Sequence, residues 1–180
     1  SGFKVEYGPV RAADLPEYLK THTATPGMRQ VRFTLADRLV LIPMELMSVL
    51  LPMLVAAVIM YFIGGLTSSL AVMAAVLAGA ALFPALLPWI PTADFSTKGF
   101  LLGLLVTLPF AWTAFQGNPE TPVWRQSLGA LTYLLPLPPV TAFLALNFTG
   151  ATPITSRSGV KKEIYTYIPM MAWLFGVGIV

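Results

Sequence analysis

Five apolar runs of roughly 17 to 22 residues divide the chain, each close to the ~20 that a helix needs to cross a ~30 Å hydrocarbon core at ~1.5 Å per residue. They cover Leu46 to Ile63, Leu66 to Leu87, Gly99 to Phe115, Leu128 to Leu146 and Ile164 to Val180. An amphipathic stretch from Phe33 to Glu45 leads into the first, and Gly64-Gly65 supplies an uncharged turn between the first two. The expected fold is an all-α integral membrane protein, a bundle of five transmembrane helices over residues 39–180. Residues 1–38 read differently. Phe3, Val5 and Tyr7 alternate with Lys4 and Glu6 like a half-buried strand. Asp14 and Glu17 have helix N-cap spacing, Pro16 fits a first turn, and a short helix to about Thr21 follows. Thr23 to Gly27 is expected as a linker, and His22 as a solvated residue after the helix. One strand and one short helix cannot bury a core, so this stretch predicts a short cytoplasmic strand and helix tail of a domain lying upstream. The Ser1-Gly2 opening, without an initiator methionine or signal pattern, fits an excised piece.

The pattern inside the runs narrows the chemistry. Pro52, Pro84, Pro109, Pro136, Pro138 and Pro139 interrupt them, each removing a backbone donor. Freed carbonyls in lipid need a partner, so the 136–139 stretch is expected to face the bundle interior. A broken fourth helix also suits a small-solute transporter or channel subunit. Against that, the central parts of the runs hold no Asp, Glu, Lys, Arg or His to carry an ion or proton, only hydroxyls such as Thr107, Thr132 and Thr141. Glu45 beside Pro43 is expected at the interface. Ala71, Ala75 and Gly79 form a smooth stripe suited to close helix contact. Tyr61, Phe62, Trp89, Trp112, Trp124, Tyr165 and Tyr167 sit near run boundaries as interface anchors.

Composition excludes a soluble domain. Of 180 residues 56% are hydrophobic and 11% charged, against roughly 25% charged in ordinary soluble domains. With no cysteine there is no thiolate nucleophile, disulfide or thiolate metal site, and one histidine makes no cluster. The eight methionines are expected as packing residues, and neither a catalytic nor a metal-ligating set is expected here. A net charge of +3 is weak for nucleic acid. Its distribution says more. Lys4, Arg11, Lys20, Arg29, Arg32, Arg38, Lys98, Arg157, Lys161 and Lys162 fall on one side of a five-span topology and Arg125 alone on the other. The bias predicts a cytoplasmic N-terminus and an external C-terminus in a prokaryotic cytoplasmic membrane.

One loop is dense in hydroxyls, glycines and basic residues. Between the fourth and fifth runs, Asn147, Thr149, Gly150, Thr152, Thr155, Ser156, Ser158, Gly159, Lys161 and Lys162 are candidate binding residues. Ser158 is expected to cap the fifth helix, leaving the Gly159, Val160 and Lys161 amides toward the cytoplasm, where amides and lysines could hold a phosphate or carboxylate. Plain positive-inside anchoring is the alternative. No Ser/His/Asp arrangement or P-loop accompanies the hydroxyls.

The string from Asn147 to Glu163 (Asn-Phe-Thr-Gly-x-Thr-x-x-Thr-Ser-x-Ser-Gly-Val-x-x-Glu) resembles the membrane domain of the HgcA family, corrinoid proteins of anaerobic mercury methylation. Gly8-Pro-Val-Arg-Ala12 and Arg32-Phe-Thr-Leu-Ala-Asp-Arg-Leu-Val-Leu41 resemble that family's junction between corrinoid domain and first span. The resemblance implies a corrinoid (cobalamin) methyltransferase that methylates Hg(II) to methylmercury. It also implies an N-terminal corrinoid domain and a ferredoxin-like partner, HgcB, that reduces the cobalt. The family's corrinoid-facing cysteine has no counterpart here, so this chain alone is expected to be inactive. Its implied work is to anchor the enzyme in the lipid bilayer and dock the corrinoid domain through the 147–163 loop. A membrane scaffold for a soluble partner remains a further alternative.

Overall fold

The computed structural model describes residues 2, 6–30, 34–117, 120–150 and 156–179, which divide into two compact units, Ser1–Thr34 and Leu35–Val180. In the first unit α1 spans Leu15–Thr21, with Asp14 at its N-cap position and Pro16 in its first turn, as the sequence predicts. Asp14 makes no side-chain capping bond. His22 ends the helix in the left-handed region at φ 50°, 3.7 Å from Glu6, and is largely exposed. The expected linker, Thr23 to Gly27, holds no regular element before Gly27. A 3-10 turn at Gly27–Arg29 buries Met28, and the Val10 amide donates to the Met28 carbonyl at 2.8 Å. Of the expected strand, residues 3–5 lie outside the described residues, and Tyr7 is exposed and in no strand.

Every regular element among the described residues of the second unit is helical. The unit comprises α2 (Leu35–Leu39), α3 (Leu41–Leu77), a π-helical turn (Ala78–Leu82), α4 (Phe83–Leu86), α5 (Phe95–Phe115), α6 (Val123–Leu134), α7 (Leu137–Asn147) and α8 (Arg157–Ile179). Three helical segments are long and apolar enough to cross a membrane: Leu35–Leu86, Phe95–Phe115 and Val123–Asn147. The first of these holds both the first and second predicted runs. It breaks at Gly65, whose φ of 74° and ψ of −167° lie in a region open essentially to glycine alone. A straight helix would separate Val49 from Val76 by about 40 Å, yet the two share one core cluster with Met53, Ala80 and Leu144. Likewise Arg38 reaches the Ala85 carbonyl at 3.2 Å. The run is therefore a hairpin of two arms. The fifth predicted run is the C-terminal part of α8, whose first turns carry Lys161, Lys162 and Glu163 and dilute its apolar character.

Small residues set the packing. α5 packs most extensively against α7. A Cβ on Gly99 would come within 2.5 Å of the Ala145 Cβ, and one on Gly103 within 2.8 Å of the Pro138 Cα. Ala71 and Ala75 are fully buried and cluster with Leu137, while Gly79 lies against Leu144 and Thr141, so the predicted stripe is a helix contact. The fourth run begins at Val123 and breaks between α6 and α7. Residues 136–139 at that break are buried, as expected. Thr141 Oγ1 donates to the Ala75 carbonyl at 2.9 Å, a second donor on that carbonyl that ties α7 to the helix ahead of the π turn. Elsewhere the surface is apolar: Met47, Leu51, Phe62 and Trp173 are each more than 70% exposed, which fits lipid contact.

Candidate functional site

Polar side chains converge where α4 ends and α5 and α8 begin. A helix terminus leaves carbonyls without intrahelical donors, and its negative dipole end favours cations. Arg38 Nη1 donates to the Ala85 carbonyl, and Lys98 Nζ donates to the Leu87 carbonyl at 3.0 Å. The Arg38 guanidinium also lies 5.9 Å from the Trp89 ring centre. Phe83, Phe95 and Phe148 are buried side by side at the same end, with ring centres 5.8 and 5.9 Å apart.

The start of α5 presents the opposite need, unpaired amides at a positive dipole end. One of its amides, that of Ser96, is met from another helix. Glu163 Oε2 accepts from both the Ser96 amide and the Ser96 hydroxyl, each at 3.0 Å, and both residues are buried. One turn on, the Tyr167 hydroxyl donates to Asp94 Oδ2 at 2.7 Å. Glu163 and Tyr167 share a face at i, i+4, so two bonds tie the first turns of α8 to the 94–96 segment. Between them lies a cavity of about 370 Å³ lined by Asp94, Ser156, Gly159, Lys162, Thr166 and Tyr167, among others. At the neighbouring end of α7, Asn147 Nδ2 donates to Glu45 Oε1 at 3.4 Å; Glu45 is half-buried there.

Ser156, Gly159 and Lys162, three of the predicted binding residues, line this cavity. Thr152 and Thr155 lie outside the described residues. Gly150 has open space around it, and Lys161 sits 5.9 Å from the Tyr165 ring centre. Two expectations are corrected. The cap of α8 is Ser156, two residues before the expected Ser158: its Oγ accepts the Gly159 amide at 3.2 Å and its carbonyl accepts the Val160 amide. Ser158 instead pairs with the Ser156 hydroxyl at 3.0 Å. The Gly159 and Val160 amides are thus spent inside the helix and not held out for an anion. Thr149 is buried, with Oγ1 donating to the Leu146 carbonyl at 2.7 Å, so it closes the end of α7 and offers no hydroxyl to a ligand.

Sequence reasoning missed Asp94 and Ser96, valued Tyr167 only as an interface anchor, and valued Lys98 and Arg38 only as topological charges. Asp94-Phe-Ser-Thr-Lys98 ahead of the third run has the composition of a helix start, which was the available signal. The set holds no nucleophile and base pair. Among the described residues no group of three His, Asp or Glu could hold a metal ion. What the cavity offers is an ammonium, hydroxyls and a carboxylate, which suit a polar group that both donates and accepts. Comparison with protein-family models, curated proteins and solved structures finds no match.

Proposed function

We propose that the chain is the membrane domain of a corrinoid-dependent methyltransferase that converts Hg(II) to methylmercury, and that its bundle crosses a prokaryotic cytoplasmic membrane five times. The two arms of α3 with α4, then α5, α6 with α7, and α8 are the five crossings. One observation carries the docking role: Asp94, Ser96, Glu163 and Tyr167 hold the first turns of α8, next to the loop that carries the family resemblance, in a fixed polar rim. Arg38, Lys98 and Lys162 lie at that same end, which is the pattern a cytoplasmic face carries. On this reading the rim meets the protein's corrinoid domain, and the ferredoxin-like partner HgcB acts on that domain from the cytoplasm.

The donor set here does not fit a corrinoid's metal. There is no cysteine, and the single histidine is exposed in the first unit. No step of methyl transfer is therefore assigned to this chain; its residues hold and orient. The test is the full-length protein with Ser156→Ala and Lys162→Ala together. Methyl transfer to Hg(II) is expected to fall about tenfold, equivalent to ~1.4 kcal/mol of docking energy, with membrane insertion unchanged. Unchanged transfer would remove the docking role.

A further inference from the structure

The polar cavity at the starts of α5 and α8 holds two carboxylates whose hydrogen bonding is half complete. Glu163 is 4% exposed, and its Oε2 takes both Ser96 donors, while Oε1 has no hydrogen-bond partner among the described residues. Asp94 likewise gives Oδ2 to the Tyr167 hydroxyl and leaves Oδ1 without a donor among those residues. The one fully enclosed polar side-chain atom without a partner among the described residues is Thr92 Oγ1, so Glu163 Oε1 is reached from the cavity that the residue lines. A carboxylate oxygen taken out of water needs a donor or a cation to offset its lost hydration. Lys162 and Thr166 line the same cavity, and neither side chain forms a hydrogen bond or ion pair among the described residues.

The two signs of charge together select the ligand. A lone cation meets the carboxylates but is repelled by Lys162, and a lone anion meets Lys162 but is repelled by two carboxylates. A group that carries both an ammonium and a phosphate satisfies the two at once. The depth of the cavity selects its carrier. The apolar runs of α5 and α8 begin at Gly99 and Ile164, beside the cavity residues, and Trp89 and Tyr165 at this end are 66% and 72% exposed, as in an aromatic belt at the headgroup level. We propose that the cavity takes the headgroup of phosphatidylethanolamine, its primary ammonium on the Asp94 and Glu163 carboxylates and its phosphate on Lys162 and the Thr166 hydroxyl. A primary ammonium brings three N–H donors, whereas the quaternary ammonium of phosphatidylcholine brings none and is held by aromatic faces. The inference rests on the reading of this end as a membrane surface and is independent of methyl transfer.

The test is native mass spectrometry of the full-length protein in mixed micelles that hold equal amounts of phosphatidylethanolamine, phosphatidylcholine and phosphatidylglycerol with the same acyl chains. The unaltered protein is expected to retain phosphatidylethanolamine about tenfold over phosphatidylcholine, the effect of one hydrogen bond to a charged group, with retention falling stepwise through the mono- and dimethylated headgroups. Asp94→Asn, which keeps an acceptor for Tyr167, is expected to erase that preference. Lys162→Met is expected to weaken retention of both lipids and to leave their ratio unchanged. Equal retention of the ethanolamine and choline lipids by the unaltered protein overturns the proposal whether or not the variants fold. Preference for phosphatidylglycerol, which has no ammonium, overturns it as well. So does displacement of the lipid by an equimolar amount of water-soluble glycerophosphoethanolamine, which would place the ligand in solution. Selective retention by a protein that forms no methylmercury would remove the methyltransferase reading and leave this one standing.

Discussion

Glu163 shows how much of the site rests on single buried groups. Its carboxylate satisfies two donors of Ser96 inside the protein, and a buried donor left unmade costs about 1–3 kcal/mol. Glu163→Ala is expected to lower the thermal unfolding midpoint in detergent by that order of destabilisation, and Glu163→Gln, which keeps an acceptor, to recover part of it. In the sequence Glu163 was visible only as the last letter of a recognisable string. Nothing local announces that a glutamate in the first turns of an apolar helix will cap a different helix 67 residues earlier. Ser156 and Ser158 differ for a related reason: both are hydroxyls at a helix start, and only the backbone decides which one caps. Ser156→Ala is expected to cost about 1 kcal/mol and to speed exchange of the Gly159 amide, with Ser158→Ala close to neutral. Equal effects on that amide would contradict the assignment.

At the scale of elements, the structure has three helical segments apolar and long enough to cross a membrane, which hold the first four predicted runs, and hydropathy located their ends poorly. The second run, the Ala71, Ala75 and Gly79 stripe and the buried prolines of the fourth run were all legible, because small and apolar residues declare their role through spacing. The starts of α5, α6 and α8 were not, since each helix extends beyond its apolar stretch into polar residues that a membrane-span reading discards. Gly99 and Gly103, four apart, were the unread signal for the α5–α7 contact. Gly99→Ala is expected to destabilise the bundle by about 1–3 kcal/mol, as overpacking does, because its Cβ meets Ala142 and Ala145. The Gly64-Gly65 turn was legible as a break. Its backbone shows which of the two glycines bears it, and Gly65→Ala is expected to cost about 1–3 kcal/mol, read as a loss of hairpin stability in thermal unfolding.

At the largest scale, the second unit joins an apolar body to a polar end. Arg38 and Lys98 serve the terminal carbonyls of α4, and Lys162 lines the rim cavity, so the charges that predict orientation also build the site. Because the chain has no cysteine, orientation can be read with single introduced thiols. A membrane-impermeant maleimide applied to intact cells is expected to label Gln116→Cys at the far end of α5 and not Ala93→Cys at the polar end. The reverse pattern would overturn the cytoplasmic placement of the rim. The central proposal is that the chain serves a methyltransferase, and its direct test is the product of the gene that encodes it, expressed anaerobically with the proposed ferredoxin-like partner and supplied with Hg(II). The account predicts a membrane-bound protein that purifies with a corrinoid and forms methylmercury. A well-folded membrane protein that carries no corrinoid and forms no methylmercury would contradict it.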